Sequence, residues 1–163
     1  MSETFSAWVI DDDAGDRKTI IRYLKNSRIP CRLTEFSSVS DALVSQPTSA
    51  PEIAFVDYRM PDMDGITAVG RLLEIWPDLA IVVVTGQGDE LIAAGAITAG
   101  ATDYIPKRDL NANAIQRSAE NALKLSRLRA QVSAQHHELE AFVHVLVHDL
   151  AAPIRGVDML ADI

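Results

Sequence analysis

The sequence predicts an α/β fold, with five parallel strands in one sheet, helices on both of its faces and a long helix after it. Short apolar runs with the composition of buried strands alternate with amphipathic helical segments, which is the pattern of right-handed βαβ units. Several of these runs end directly in polar side chains, as strands do at the ligand-binding edge of a parallel sheet. Neither Gly nor Pro occurs between Lys107 and Ala152, so this region is predicted to form one helix.

Each strand and helix can be placed by its apolar pattern and by the residues that end it. The predicted strands cover residues 7–10, 31–36, 53–57, 80–84 and 102–105. The predicted helices cover residues 14–26, 38–45, 65–76 and 89–99, and a last helix starts at about residue 111. Asp64 is a candidate N-cap, and the choice between Ser38 and Ser40, and between Asn111 and Asn113, stays open.

Composition limits the location and the partners of the chain. Its formal net charge of -8 argues against nucleic acid or an anionic membrane surface as a direct partner. Cys31 is the only cysteine, so no disulfide can form within the chain and a reducing compartment is expected. The first dozen residues hold no Lys or Arg, unlike a signal peptide, and no apolar run approaches the roughly 20 residues that span a bilayer. We therefore expect a cytoplasmic protein.

Acidic side chains follow two of the predicted strands. Asp11 and Asp12 come directly after the first strand, and Asp57 ends the third. Carboxylates gathered at one edge repel one another unless a cation neutralises them, and all-oxygen ligands suit Mg²⁺. Thr85 and Lys107, at the ends of the fourth and fifth strands, supply a hydroxyl donor and a positive charge, which an incoming phosphoryl oxygen requires. The sequence therefore predicts a magnesium-dependent phosphoryl acceptor.

These residues give the chain a resemblance to the response regulator receiver family, over about residues 5 to 125. The residues that carry it are Asp11, Asp12, Asp57, Met60-Pro61, Asp64-Gly65, Thr85, Tyr104 and Lys107. The resemblance implies a flavodoxin-like, doubly wound sheet. Receivers usually carry Pro directly after this lysine, whereas here Arg108 follows it and Pro106 precedes it. The cis peptide expected in that loop, and the shape of the loop, are therefore left open.

The resemblance also implies a nucleophile and a metal site. Asp57 would attack the phosphorus of a phosphohistidine and become an aspartyl phosphate. Asp12, Asp57 and the backbone carbonyl of Arg59 would hold Mg²⁺, and Asp11 would act mainly through water.

Further roles follow from the resemblance for residues at the other strand ends. Thr85 would hydrogen-bond the phosphoryl group, and Lys107 would pair with it. Tyr104 would be the aromatic side chain that swings inward when Thr85 moves. Asp13 and Asp62 are interpreted as solvated loop acids rather than as ligands.

The long helix carries an apolar repeat. Its members fall on alternating three- and four-residue steps, broken once by polar Gln135: Leu125, Leu128, Val132, Leu139, Phe142 and Leu146. This spacing is typical of a two-stranded coiled coil and predicts a homodimer through the helix. The alternative is a single helix that packs back on the domain. The dimer is favoured because the predicted sheet is already covered by its own helices.

A second motif lies near the end of the long helix. His148-Asp149-Leu150, with Pro153 five residues after the His, resembles the phosphoacceptor box of the sensor histidine kinase dimerisation helix. His148 would be the kinase phosphoacceptor, since a neutral imidazole nitrogen can attack the γ-phosphorus of ATP while Asp149 holds the proton of the other nitrogen. Pro153 would bend the helix. Ala152 offers no side chain to orient a hydrolytic water, so little phosphatase activity is expected.

Together the motifs predict a receiver domain at residues 1–125, a coiled-coil signalling helix at 112–140 and the start of a histidine kinase phosphoacceptor helix at 141–163. The full-length protein is expected to be a hybrid-type histidine protein kinase. No Gly-rich nucleotide loop or ATP-binding domain is found in this sequence, so it is expected to have no kinase activity by itself.

The order of the motifs predicts a regulatory input. A separate histidine kinase or phosphotransfer protein would load Asp57, and the resulting change would alter the paired helices that carry His148. A continuous helix would separate His148 from the receiver by roughly 50 Å, which excludes transfer to Asp57 of the same chain. A downstream response regulator is a further expected partner. The sequence leaves the phosphodonor, the signal and the sign of regulation open.

Two other functions fit parts of the pattern. The first is a stand-alone interaction module, in which the receiver dimerises in response to phosphorylation and His148 is not phosphorylated. The second is an aspartate-nucleophile phosphohydrolase, in which Asp11 is attacked and Asp13 is the acid. That class requires Thr or Val at the position of Gly15, and a later acidic pair that the sequence lacks.

Overall fold

Five parallel strands form one sheet, which confirms the predicted fold class. They are β1 (Phe5–Ile10), β2 (Cys31–Phe36), β3 (Ile53–Asp57), β4 (Ala80–Thr85) and β5 (Asp103–Pro106). Their order across the sheet is β2-β1-β3-β4-β5, and every adjacent pair is parallel. The computed structural model describes residues 4–86 and 90–161, with side chains described up to residue 150.

Helices follow the strands in the predicted alternation. They are α1 (Ala14–Lys25), α2 (Val39–Val44), α3 (Gly65–Ile75), α4 (Glu90–Ala99) and α5 (Ala112–Ala161). A single 3-10 turn, Lys107–Asp109, lies between β5 and α5. The predicted start of the fourth helix at residue 89 lies outside the described residues. Trp76 was predicted to be helical but ends α3 instead, because its backbone leaves the helical region at φ -123° and ψ 82°.

Side-chain caps fix where four helices begin. Asp13, Ser38, Asp64 and Asn111 each accept a hydrogen bond from the backbone N–H three residues later, at 2.8–3.1 Å. The structure thus selects Ser38 and Asn111 from the two pairs of candidate caps. Because these caps follow the strand ends, they also fix the loops at the carboxyl edge of the sheet.

The central strands of the sheet are buried on both faces. Every residue of β3 and β4 is buried, as expected for central strands of a parallel sheet. On one face Phe55 packs in a cluster with Ile115 of α5. On the other face Trp8 contacts Phe36 and Trp76 edge-to-face, with ring centroids 4.8 and 4.9 Å apart. The buried strands therefore hold their carboxyl ends rigidly.

The chain divides into two compact units, Met1–Arg127 and Leu128–Ile163. In the first unit, the start of α5 buries Ile115, Ala119 and Ala122 against the sheet. In the second unit, the members of the apolar repeat are between 44% and 65% exposed: Leu128, Val132, Leu139, Phe142 and Leu146. None of the helices in the described part of the chain has the length and apolar character to cross a membrane.

Candidate functional site

The carboxyl ends of β1 and β3 bring three carboxylates together. These strands are neighbours, with Ile10 paired to Val56, so Asp11 directly after β1 lies beside Asp57 at the end of β3. Oxygen atoms of Asp11, Asp12 and Asp57 all lie within 4.8 Å of one another. Asp11 and Asp57 are buried, whereas Asp12 is exposed.

Lys107 reaches this cluster from the end of β5. Its Nζ lies 3.1 Å from Oδ1 of Asp57 and 3.4 Å from Oδ2 of Asp11. Its shortest contact, at 2.6 Å, is with Oδ2 of Asp16 in the first turn of α1. Lys107 was predicted to lie at this acidic edge, but Asp16 was not. The only sequence signal for Asp16 is its position three residues after the Asp13 cap.

Burial and charge oppose each other in this cluster. Burial is the main cause that raises the pKa of Asp11 to about 6, and the charge of Asp57 adds to it, while the N–H of Asp13 and the charge of Lys107 lower it. Burial also raises the pKa of Asp57, against the charge of Lys107. Burial lowers the pKa of Lys107, but its contacts with Asp16, Asp11 and Asp57 outweigh burial and raise it. One ammonium thus does not fully offset the buried negative charge.

The donor set of the cluster fits Mg²⁺. Three carboxylates supply oxygen ligands close enough to share one ion, and Mg²⁺ favours oxygen ligands. The buried Oδ2 of Asp11 accepts no hydrogen bond from the described residues, although it faces the Lys107 ammonium. Its free lone pairs can therefore serve a cation or a water bound to it.

Thr85 and Tyr104 lie on β4 and β5, the first and second strands from Asp57 on one side of the sheet. Thr85 ends β4 directly after Val84, which pairs with Asp57, and it is 1% exposed. Tyr104 in β5 pairs with Val83 of β4 and is half-buried against the cluster that contains Trp8. Both side chains are thus on the same part of the sheet as the acidic cluster.

A tight turn after β3 positions the Arg59 backbone. The N–H of Tyr58 donates to the carbonyl of Val84 at 2.8 Å, and the N–H of Gly65 donates to the carbonyl of Tyr58 at 2.7 Å. Arg59 forms an isolated antiparallel bridge with Asp64. A Cβ at Gly65 would lie 2.8 Å from Cα of Tyr58, so this approach of two backbone segments requires glycine.

Asp13 and Asp62 are more than solvated loop acids, although neither belongs to the carboxylate cluster. Asp13 caps α1, so its side chain is engaged in a way that does not support a role as the acid of a phosphohydrolase. Asp62 accepts hydrogen bonds from the backbone N–H and from Oγ of Ser40, both at 2.8 Å. Burial would raise the pKa of Asp62, but the bonds from Ser40 outweigh burial and lower it.

Arg108, which stands where receivers usually carry Pro, is exposed, with its Nε 3.9 Å from Oδ2 of Asp109. All peptide bonds in the described part of the chain are trans, including those in the Lys107–Asp109 turn. Lys107 nevertheless reaches Asp57 from this turn.

His148 and Asp149 lie in the second unit, on the exposed surface of α5. Nδ1 of His148 is 3.8 Å from Oδ1 of Asp149, which is longer than a hydrogen bond. The side chains of Ala152 and Pro153, which completed the predicted motif, lie outside the described residues. The backbone of α5 remains helical through both positions.

Comparisons with known proteins identify the first unit. The family model described as the response regulator receiver domain matches residues 7–120. The C4-dicarboxylate transport transcriptional regulatory protein DctD of Rhizobium meliloti is 35% identical over 128 residues, which cover 78% of this chain and 27% of that protein. The DNA-binding transcriptional regulator NtrC of Proteus hauseri is 33% identical over 102 residues, 63% of this chain and 21% of that protein. The chain thus spans about a quarter of the length of these relatives.

A solved structure shows the same fold. NtrX from Brucella abortus, crystallised in complex with ADP, is 26% identical, with a TM-score of 0.72 over 80% of this chain and 30% of that one. The family match, the fold and the strand-end acids agree on the same part of the molecule. The chain belongs to the response regulator receiver domain family, whose members accept a phosphoryl group on an aspartate in two-component systems.

Proposed function

We propose that Asp57 is the phosphoacceptor of this receiver. The observation that carries the proposal is the contact of Oδ1 of Asp57 with Nζ of Lys107 at 3.1 Å, inside the cluster of three carboxylates. A buried carboxylate beside a fixed cation is well placed to act as a nucleophile. Asp11, Asp12 and Asp57 would hold Mg²⁺ together with the backbone carbonyl of Arg59, with Asp11 acting mainly through water.

The proposed reaction begins with a phosphohistidine on a separate histidine kinase or phosphotransfer protein. A carboxylate oxygen of Asp57 attacks the phosphorus, the new O–P bond forms and the N–P bond breaks. The imidazole leaves neutral when its other nitrogen carries a proton. Bound Mg²⁺ would supply positive charge to the phosphoryl oxygens. Lys107 pairs with the phosphoryl group, and the hydroxyl of Thr85 donates a hydrogen bond to it.

Signalling is proposed to pass from Thr85 and Tyr104 to α5. Asp103, the neighbour of Tyr104 on β5, accepts a hydrogen bond of 2.6 Å from Oγ of Ser118 on α5. A displacement of β5 would therefore move the buried start of α5. Since α5 is a single helix in the structure, such a movement can bias what its exposed part binds.

The exposed part of α5 is proposed to form a homodimer in the cytoplasm. The apolar repeat from Leu128 to Leu146 is uncovered in the described part of the chain, and a second copy of the same helix would bury it. In this proposal residues 1–125 are the receiver, 112–140 the signalling helix and 141–163 the start of a phosphoacceptor helix. His148 would then be the phosphoacceptor of a full-length histidine kinase, with a downstream response regulator as its partner.

The comparisons favour a second candidate function. DctD and NtrC, which match the chain over its receiver, are named as transcriptional regulators rather than kinases. In this alternative, α5 only pairs two receivers, and His148 is not phosphorylated.

Acid-labile, base-stable labelling of the full-length protein by ATP would favour the kinase. Labelling that is lost in His148→Gln but not in His144→Gln would assign the residue, and absence of such labelling would favour the interaction module.

The phosphoacceptor proposal is tested by binding of beryllofluoride with Mg²⁺, which mimics a phosphoryl group. Trp8 and Trp76 are the only tryptophans, and both lie in the first unit, so intrinsic fluorescence follows that unit alone. We expect a saturable change that requires both reagents and that is absent in Asp57→Asn. An unchanged spectrum of the wild-type protein would contradict the proposal.

Regulation of the proposed kinase is tested separately with Asp57→Asn in the full-length protein. This variant should abolish the effect of phosphoryl donors on the labelling of His148. A response equal to that of the wild type would contradict the regulatory role.

A further inference from the structure

Lys107 makes one contact that phosphoryl transfer to Asp57 does not explain. Of the three carboxylates around Lys107, Asp16 is the nearest, with Oδ2 2.6 Å from Nζ, against 3.1 Å for Asp57 and 3.4 Å for Asp11. The Asp16 side chain is 43% exposed, whereas that of Asp57 is 6% exposed. The ammonium is therefore held between the buried nucleophile and an acid at the rim of the site.

The start of α1 fixes the position of Asp16. Its backbone N–H donates to the Asp13 cap at 2.8 Å. The next residue, Arg17, donates from a guanidinium nitrogen to the backbone carbonyl of Asp11 at 2.7 Å and pairs with Glu35 at 3.3 Å. These contacts tie the first turn of α1 to the ends of β1 and β2. Asp16 is consequently a positioned group beside Lys107.

We propose that Asp16 is a positioning residue that holds Lys107 while Asp57 is unmodified and competes with the phosphoryl group for it. This inference rests on the proposed phosphorylation of Asp57. A phosphoryl group brings between one and two negative charges and three acceptor oxygens to the ammonium. Lys107 must be shared with Asp16 or leave it when that group arrives. Asp16 thereby disfavours the phosphorylated state, both through the competing contact and through its own charge.

The competing explanation is an ion pair that only stabilises the fold. Such a pair would change the free energy of unfolding and leave the affinity for a phosphoryl analogue unchanged. The two explanations are separated by measuring beryllofluoride affinity and stability on the same variants.

The test uses the full chain and beryllofluoride at fixed Mg²⁺, followed by tryptophan fluorescence. In Asp16→Asn, the beryllofluoride concentration at the midpoint should fall by up to about fivefold, the upper limit that corresponds to a part-exposed ion pair. Labelling by acetyl phosphate, a small donor that avoids protein contacts, should be faster by a similar factor. Asp16→Glu keeps the charge and can still reach Lys107, so it should resemble the wild type.

Asp13→Asn is the matched control. It removes a neighbouring carboxylate, but Asn is an equally good cap, so the capping hydrogen bond at the start of α1 is kept. Its midpoint should stay close to that of the wild type. The inference is overturned if Asp16→Asn binds beryllofluoride no more tightly than the wild type does. It is also overturned if the affinity of Asp13→Asn for beryllofluoride rises as much as that of Asp16→Asn. A wild-type protein that fails to respond would instead overturn the assignment of Asp57, and this inference with it.

Discussion

Replacing Asp11 with Asn is expected to stabilise the cation-free protein near neutral pH while weakening its binding of Mg²⁺. Asp11 is 1% exposed, and its pKa is raised from 3.8 to about 6, chiefly by burial. A raised pKa in the folded state means that the ionised form costs stability, about 1.4 kcal/mol for each unit of difference. The rise of the Asp11 pKa from 3.8 to about 6 therefore sets an upper estimate of about 3 kcal/mol for this cost.

The cost should appear only in a defined pH window. Above about pH 6, Asp11 is ionised in both the folded and the unfolded state, and the whole cost applies. As the pH falls from about 6 toward 3.8, the folded state takes up a proton and the cost disappears. Asn keeps an acceptor for the N–H of Asp13 but loses the pairing with Lys107. We therefore expect a net gain of about 1 to 2 kcal/mol above pH 6 that vanishes toward about pH 4.

Urea unfolding followed by tryptophan fluorescence measures this difference. With EDTA, Asp11→Asn should unfold at higher urea than the wild type. With Mg²⁺ at a hundred times its dissociation constant, the wild type should gain about 2.7 kcal/mol and the variant much less. Asp12→Asn is the control, because Asp12 is exposed, so its loss should weaken Mg²⁺ binding with little gain in stability. Equal or lower stability of Asp11→Asn in EDTA, or a difference that does not change with pH, would refute the reasoning.

Two further predictions concern the turn after β3 and the exposed helix. Gly65→Ala places a Cβ 2.8 Å from Cα of Tyr58 and should lower the free energy of unfolding in urea by about 2 kcal/mol or more. Gly70→Ala should be neutral or stabilising, because apart from the adjoining backbone of its own helix nothing lies within 4 Å of the new Cβ. Equal costs for the two variants would contradict the steric argument. Leu146→Lys puts a charge into the apolar repeat of the proposed dimer, so this variant should be a monomer in analytical ultracentrifugation. Ala134→Lys lies outside the repeat and should leave the dimer intact. A wild-type protein that sediments as a monomer would rule out the dimer.

The sheet and the acidic cluster could be predicted because their signals are local. The run that forms β3 is apolar throughout and ends in Asp57, so one segment of sequence specifies both the strand and the place of its carboxylate. The choice between Ser38 and Ser40 as cap could not be made, because both serines offer the same chemistry. It is settled by Asp62, which binds Ser40 from 22 residues away.

The role of Asp16 was missed for a related reason. Its partner Lys107 is 91 residues away in sequence, and an acid in the first turn of a helix is ordinarily explained by the helix dipole. Only the packing of α1 against β1 brings the two together. Contacts between charged groups on separate elements leave no periodic signal in the sequence. Sequence patterns therefore predict which strand ends meet, but not which of the acids there form ion pairs with Lys107.

The buried negative charge at this edge of the sheet both lowers stability and favours the binding of a cation. Burial that makes ionised Asp11 and Asp57 costly also strengthens their attraction for a cation, because both effects come from the loss of water around the charge. Filling the space between the acids with apolar side chains would stabilise the fold and remove that attraction. Thr85 lies on the strand beside Asp57, so a cation that relieves the repulsion between the carboxylates would bind next to the end of β4. Under the proposed function, the cation site therefore adjoins Thr85, from which the signal is proposed to pass to α5.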